Sequence, residues 1–445
     1  MTLSMPGNPH ATAPSAVVRS VLLCLASLAC PLSARAQPSI RAVFTADPPK
    51  MDGRTDDAAW AFAEAATEMR QFEPVYGNPP TERTEVRVLY DNSHLYVGFD
   101  AYTDKTRTVA GSSTQRDSPF FSDDYVGVYL DTFYDRRNAY GFFVNALGTQ
   151  RDLRIVNEGL GQEMRRGGDS SWDCAWTAKT ARLDGRWSAE LAIPFAELRF
   201  DPHGDVWGVN FARNVEAVDE ELTWADVGTR QYNVSQFGTL MGLDIARLDR
   251  GQRLLLAPYG TISPRRETGR DLTWTPKTGL DLRYPMTSLT LDFTLNPDFA
   301  QIEADPSQVN LTDVELRLQE KRPFFLEGGD LYRTPIEVFY TRRVEDLKLG
   351  AKMAGRIGPQ DIAFMSAQAA PLAADALQAE GTSNFSAVRY QREVWTGVGL
   401  GLLGVNKVTP RLERVSGAAG VDLTARLARD VNVVGHYVTN WDRNY

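Results

Sequence analysis

Between Glu85 and Asn214 apolar residues recur on alternate positions in short runs, set apart by turn-forming and acidic residues. In Glu85-Val86-Arg87-Val88-Leu89-Tyr90 and Tyr125-Val126-Gly127-Val128-Tyr129-Leu130 the period is close to two, that of a half-buried strand. The same pattern predicts strands over 94–102, 141–145, 176–181, 187–193 and 207–214, at the spacing of a β-sandwich. Asp56 to Met69 reads as one short helix, N-capped by Thr55 or Asp56 and anchored by Trp60.

From Arg253 the texture changes. Ser288 to Asn296 and Leu347 to Ile357 alternate over longer spans, as do Gly279 to Tyr284 and Val421 to Leu427. Polar groups on one side and apolar groups on the other, over spans of about ten residues, are what a membrane barrel strand requires. Short turns such as Gly358-Pro359-Gln360-Asp361 join such spans. Ser288–Asn296 and Leu347–Ile357 are expected to pair, with Leu289, Leu291, Phe293, Leu347, Leu349 and Met353 outward. The predicted fold class is all-β: a sandwich over 37–250, then antiparallel membrane-type β-barrel strands over 251–445, forming an incomplete barrel in a partial chain.

The change of texture falls in a junction, 296–328, where a charged stretch from Glu315 to Arg322 meets the apolar run Pro323-Phe324-Phe325-Leu326. Pro323 forbids a helix continuing through it from the charged side, so the junction reads as a surface segment ending in an anchored plug.

The first 36 residues stand apart from the fold. Arg19, the apolar run Val21 to Leu32 and Ala34-Arg35-Ala36 have the layout of a secretory signal peptide, cleaved after Ala36. The protein is therefore expected to be exported, to the bacterial outer membrane, with membrane lipid as one partner. Cleavage removes Cys24 and Cys30 and leaves Cys174 alone, which excludes an intramolecular disulfide framework and a structural zinc site. The full chain of 445 residues carries a net charge of −9. Losing Arg19 and Arg35 leaves 46 Lys and Arg against 57 acids, a balance of −11 that argues against nucleic acid as a partner.

Met51-Asp52-Gly53 with Asp56 and Trp60, Val88 to Asp91 with Leu95-Tyr96-Val97, Asp124 to Asp131, Trp187 with Glu190, and Phe237-Gly238 together resemble the family 9 carbohydrate-binding module. The resemblance implies a β-sandwich and a slot between two aromatic walls that sugar faces can enter. One wall falls on Phe120 or Phe121, the other near Tyr232. The family's glutamate falls on Gly127 and its arginine on Phe143, so Asn145, Asn210, Arg213 and Asn214 are the candidates for a different polar set. The segments Asn296 to Phe299, Glu303 to Pro306, Val309 to Leu311, Glu320 to Gly328 and Phe339 to Arg343 resemble a bacterial family in which such a module precedes an outer-membrane-type barrel.

The implied function is capture of a glycan or another extracellular polymer, linked to polysaccharide uptake or carbohydrate catabolism. Two alternatives stand beside it: a glycosidase-associated activity on O-glycosyl bonds, and a transporter barrel whose sandwich is a plug or docking domain. Glycoside hydrolysis needs two facing carboxyls, about 5–5.5 Å or 6.5–9.5 Å apart. The acidic pairs Asp123-Asp124, Glu220-Glu221 and Glu303 with Asp305 have no catalytic context, so no catalytic residue is assigned. No metal site and no cofactor are expected, apart from calcium as an option at Asp123-Asp124 or at Asp131-Thr132 with Asp135.

Overall fold

The computed structural model describes residues 37–444 except 121, 157, 159–167, 169, 171, 250, 252–253, 266–272, 287, 298–319, 327, 372–379, 396 and 429–430. The leader, Phe121, Glu303 with Asp305 and most of the junction lie outside the described residues.

Two sheets make the sandwich. Sheet one contains β1 (Ser39–Arg41), β3 (Arg70–Glu73), β6 (Tyr125–Asp131), β7 (Ala139–Asn145), β8 (Gln150–Ile155), β11 (Trp207–Val215), β12 (Glu220–Thr223) and β13 (Gly238–Met241). Its order is β1-β13-β11-β6-β7-β8, and β12 links β11 to β3. Sheet two contains β2 (Val43–Phe44), β4 (Thr84–Tyr90), β5 (His94–Tyr102), β9 (Thr177–Leu183) and β10 (Arg186–Pro194), in the order β2-β4-β5-β10-β9.

Period-two alternation turns Val126, Val128 and Leu130 of β6 inward, where they meet Val86, Val97, Phe99, Trp187 and Leu191 from sheet two. Trp187 and Trp207 are fully buried in this core, each a side chain whose truncation typically costs about 3–5 kcal/mol. The expected helix over 56–69 is instead a 3-10 helix of five residues, Ala58–Phe62, with no side-chain cap. Tertiary contacts decide its fate: Trp60 Nε1 donates to Glu190 Oε1 at 2.9 Å, and Ala66 leaves the helical path to pair with Val86. The other Glu190 oxygen accepts the backbone N–H groups of Asp52 and Gly53. Gly53 has φ +88° and stands where a Cβ would lie 2.5 Å from the Thr180 carbonyl carbon, so only glycine fits.

The third sheet is a meander of nine strands: β14 (Leu255–Arg265), β15 (Thr273–Pro285), β16 (Leu289–Leu295), β17 (Asp346–Ile357), β18 (Gln360–Ala370), β19 (Ser383–Trp395), β20 (Val398–Thr409), β21 (Arg414–Ala428) and β22 (Val431–Asn444). Each strand pairs antiparallel with the next, and β16 pairs with β17 through Leu289↔Gly355 to Leu295↔Leu349. No closed barrel is seen among the described residues: β14 and β22 are the two ends of the sheet and do not pair with each other.

The sheet's polarity is inverted relative to the sandwich. On β16 the polar Thr290, Asp292 and Thr294 are buried, while Leu291 is 38% and Leu295 46% exposed. Ile357, Phe364, Val388, Leu402 and Val421 are exposed as well. The inner face carries the buried ion pairs Arg389–Asp422 and Arg356–Asp361. Leu347, expected outward, is 1% exposed on the inner face, because the register shifts between Leu347 and Leu349 and flips every position before the bulge.

A four-residue helix, α1 (Pro323–Leu326), begins at Pro323, whose missing N–H is not needed at a helix start. It lays Phe324 and Phe325 on the alanines of the inner face, among them Ala354, Ala363 and Ala367. Gly350 makes room for the Phe324 ring, since a Cβ there would lie 2.6 Å from its Cζ. Lys352 Nζ donates to the Phe324 carbonyl at 2.6 Å and stands 3.4 Å from Asp292. Sandwich turns also reach this polar face: Arg356 pairs with Asp135, Arg426 with Glu158, and Arg199 Nε donates to Thr290 Oγ1.

Candidate functional site

The face of sheet one turned away from the sandwich core is aromatic. Alternation on β6 sends Tyr125 and Tyr129 outward, and β7 adds Phe143 on the same side. The rings form a chain: Phe120 lies 6.0 Å from Tyr125, Tyr125 6.0 Å from Phe143, Phe143 5.1 Å from Tyr129, and Tyr129 6.0 Å from Tyr232. Edge-on or tilted packing at these separations suits aromatic quadrupoles. The two loops expected to carry the walls of a slot therefore do meet on one face. Phe120 is 5% exposed and packs beneath Tyr125, while Tyr125 and Tyr232 remain half-buried at the surface.

The positions where the resemblance has a glutamate and an arginine, Gly127 and Phe143, are direct register partners. The Phe143 ring lies over Gly127 in the space a side chain there would need.

The Tyr232 loop is fixed from beneath. Asn233 Nδ2 donates to the Val227 carbonyl at 2.9 Å, and the Ser235 N–H donates to Glu158 Oε1 at 2.9 Å. Arg230 reaches the other Glu158 oxygen at 3.4 Å, the same oxygen that pairs with Arg426 of β21.

The polar candidates read from the sequence are engaged within the protein. Asn145 is fully buried; its Nδ2 donates to Asp123 and to the Ser113 carbonyl, and its Oδ1 accepts from Leu147 and Thr149. Arg213 points to the opposite side of the sheet, fully buried, where it donates to Glu82 at 2.8 Å, Thr84 at 3.0 Å and the carbonyls of Arg83 and Tyr102. It staples sheet one to sheet two. Asn210 accepts from the N–H groups of Phe211 and Ala225 while its Nδ2 is buried without a hydrogen-bond partner, and Asn214 donates to the Asp123 carbonyl at 2.9 Å. A strand position shows whether a residue is polar, not whether its hydrogen bonds are already made.

The calcium option meets the same obstacle. Asp123 accepts from Ser112, Ser113 and Asn145; burial opposes its charge, yet these donors hold its pKa down to about 2. Asp131 accepts from the N–H groups of Asp135 and Arg136, and Asp135 from Arg137 and Asn138. A further carboxylate group, Asp117, Asp152 and Asp173, surrounds the Arg116 guanidinium, which donates to Asp152 at 2.7 Å and Asp173 at 2.9 Å. Glu220 and Glu221 do not face one another either: Glu220 accepts from Thr81, and Glu221 from Tyr125 on the other side of the sheet.

Polar groups that sequence reasoning missed surround the aromatic chain. The Tyr125 hydroxyl donates to Glu221 Oε1 at 3.1 Å, and Gln231 Nε2 donates to the same oxygen. Burial pushes the Glu221 carboxyl up to about 7, against the Tyr125 hydrogen bond and with help from nearby Glu73. Arg151 of β8 is the register partner of Phe143 and so shares its face. The signal was available in part: Tyr125 and Tyr129 break the apolar alternation of β6 on its outward positions.

Residues 51–243 match the family model described as carbohydrate family 9 binding domain-like. Residues 251–357 match a domain of unknown function, DUF5916. No curated protein matches the chain. Two solved structures of a family 9 carbohydrate-binding module from Caldicellulosiruptor kristjanssonii, one with cellotriose and one with glucose, are similar to the family 9-like domain. Both are 18% identical with a TM-score of 0.33 and cover 46% of this chain; the chain in turn covers 95% and 96% of theirs.

Proposed function

We propose that the family 9-like domain binds carbohydrate on the outer face of sheet one, with Tyr125 and Tyr232 offering ring faces to a sugar and Glu221 and Gln231 offering hydrogen bonds to its hydroxyls. The observation that carries this reading is that two half-buried tyrosines and a polar pair share one rim, around a floor of Phe143 and Tyr129. Sugar recognition needs apolar faces and convergent polar groups together. Phe121, in the loop before Asp123, stays in the proposal as part of the first wall. A glycan array with the full chain tests it: binding that Tyr232→Ala weakens supports the site. Binding unchanged in a Tyr125→Ala, Tyr232→Ala double variant would move it elsewhere.

The proposal has a second part, favoured by the inverted polarity of the nine-stranded sheet. An exposed apolar face backed by buried ion pairs suits lipid outside and a polar interior within, so we infer that this sheet serves as a membrane anchor for an exported, glycan-capturing protein. The leader-like sequence before Gln37 supports export, and a link to polysaccharide uptake follows from capture at a membrane. Sedimentation with liposomes, and N-terminal mass spectrometry for cleavage after Ala36, test this part.

A further inference from the structure

Several arginines in this sandwich are committed to carboxylates or carbonyls, as Arg213 is to Glu82, Arg116 to Asp152, Arg87 to Glu85 and Asp100, and Arg136 to the Phe237 carbonyl. Arg151 differs. Among the described residues its side chain has no ion pair and no hydrogen bond; its buried, unpartnered Nε it shares with Arg116 and Arg213. A guanidinium with no carboxylate of its own has its fork of donors to use on a ligand.

Its position says what that use is. Register pairing with Phe143 puts Arg151 on the aromatic face, and its charge acts on the hydroxyls of Tyr125, Tyr129 and Tyr232. Glu221 acts on the same three hydroxyls, yet it is held by Tyr125 and Gln231 and does not pair with Arg151. The rim thus keeps an acceptor group at one side and an unclaimed guanidinium at another. A neutral sugar seated on Tyr232 would cover Arg151 without answering its charge. A sugar carboxylate would answer it with two parallel N–H···O bonds, the geometry a guanidinium fork matches best.

We propose that this cleft recognises an acidic saccharide of the uronic acid type, its ring stacked on Tyr232 and its carboxylate paired with Arg151. This rests on the carbohydrate reading above and narrows it to a ligand class. The test is calorimetry on the full chain with oligogalacturonates, cello-oligosaccharides of equal length and sulfated cello-oligosaccharides. The uronates are expected to bind at least about 10-fold tighter than the neutral series, with a preference that fades as salt is raised. Arg151→Gln should erase that preference with neutral binding no weaker and thermal stability no lower than in the wild type, and Arg151→Lys should restore part of it. Equal affinity for acidic and neutral chains, a preference that survives Arg151→Gln, or sulfated chains binding tighter than uronates would each overturn the inference and leave the carbohydrate reading standing. No binding to any saccharide would overturn both.

Discussion

Phe143 lies across its register partner Gly127 so closely that any side chain at Gly127 would overlap the ring. The two residues form one packing unit on the candidate face. Gly127→Ala alone is expected to lower stability by about 1–3 kcal/mol through overpacking. Combined with Phe143→Leu, which frees the space, the loss should shrink; urea unfolding of both variants measures the coupling.

Burial raises three sandwich carboxyls to about 7, Asp131 and Asp152 from 3.8 and Glu221 from 4.5. Each folded-state pKa lies above its unfolded value, so between those limits the native state holds protons that the unfolded chain has released. Stability from these groups is therefore full below about pH 4 and lost as pH rises through 7. Asp152→Asn and Glu221→Gln should each flatten part of that decline in pH-dependent thermal unfolding.

Lys352 is nearly fully buried between the Phe324 carbonyl and Asp292. Lys352→Met would remove one of two cations from Asp292, whose Oδ1 still accepts from Arg283 Nε at 2.8 Å, so the cost is expected to stay below the ~3–5 kcal/mol of a fully orphaned buried charge. It should also release α1 from the inner face. Hydrogen exchange at Phe324 to Leu326, compared between wild type and variant, reads the release directly.

Leu291 tests the membrane reading. It is 38% exposed on the apolar side of β16. Leu291→Arg should cost about 2–4 kcal/mol if the residue meets mid-bilayer, and refolding yield into detergent or liposomes should fall accordingly. Yield equal to wild type would count against a lipid-facing wall.

Most of the strand framework was legible because alternation is a local signal: His94–Tyr102 and Tyr125–Asp131 have the bounds their pattern predicts. The signal fails where a tertiary event interrupts it. Nothing in Leu347-Lys348-Leu349 announces the bulge that sends Leu347 inward, and nothing in Asp56–Met69 announces that Ala66 will pair with Val86. The candidate site was legible in its loops and less so in its polar members. Asn145 and Arg213 are polar because they brace the fold, whereas Arg151 and Glu221 gain significance only from neighbours brought in by strand pairing.

The open ends of the nine-stranded sheet carry a separate consequence. Along Leu255–Arg265 and Val431–Asn444 every second residue turns its amide and carbonyl away from the sheet, toward no strand of this chain among the described residues. Water can satisfy those groups, but hydrocarbon cannot, and each one left bare there costs several kcal/mol. A bilayer that welcomed the leucines of this sheet would therefore reject its two margins. Backbone accounting, more than side-chain hydrophobicity, then dictates that entry into lipid must be coupled to the arrival of further β-strands along those margins.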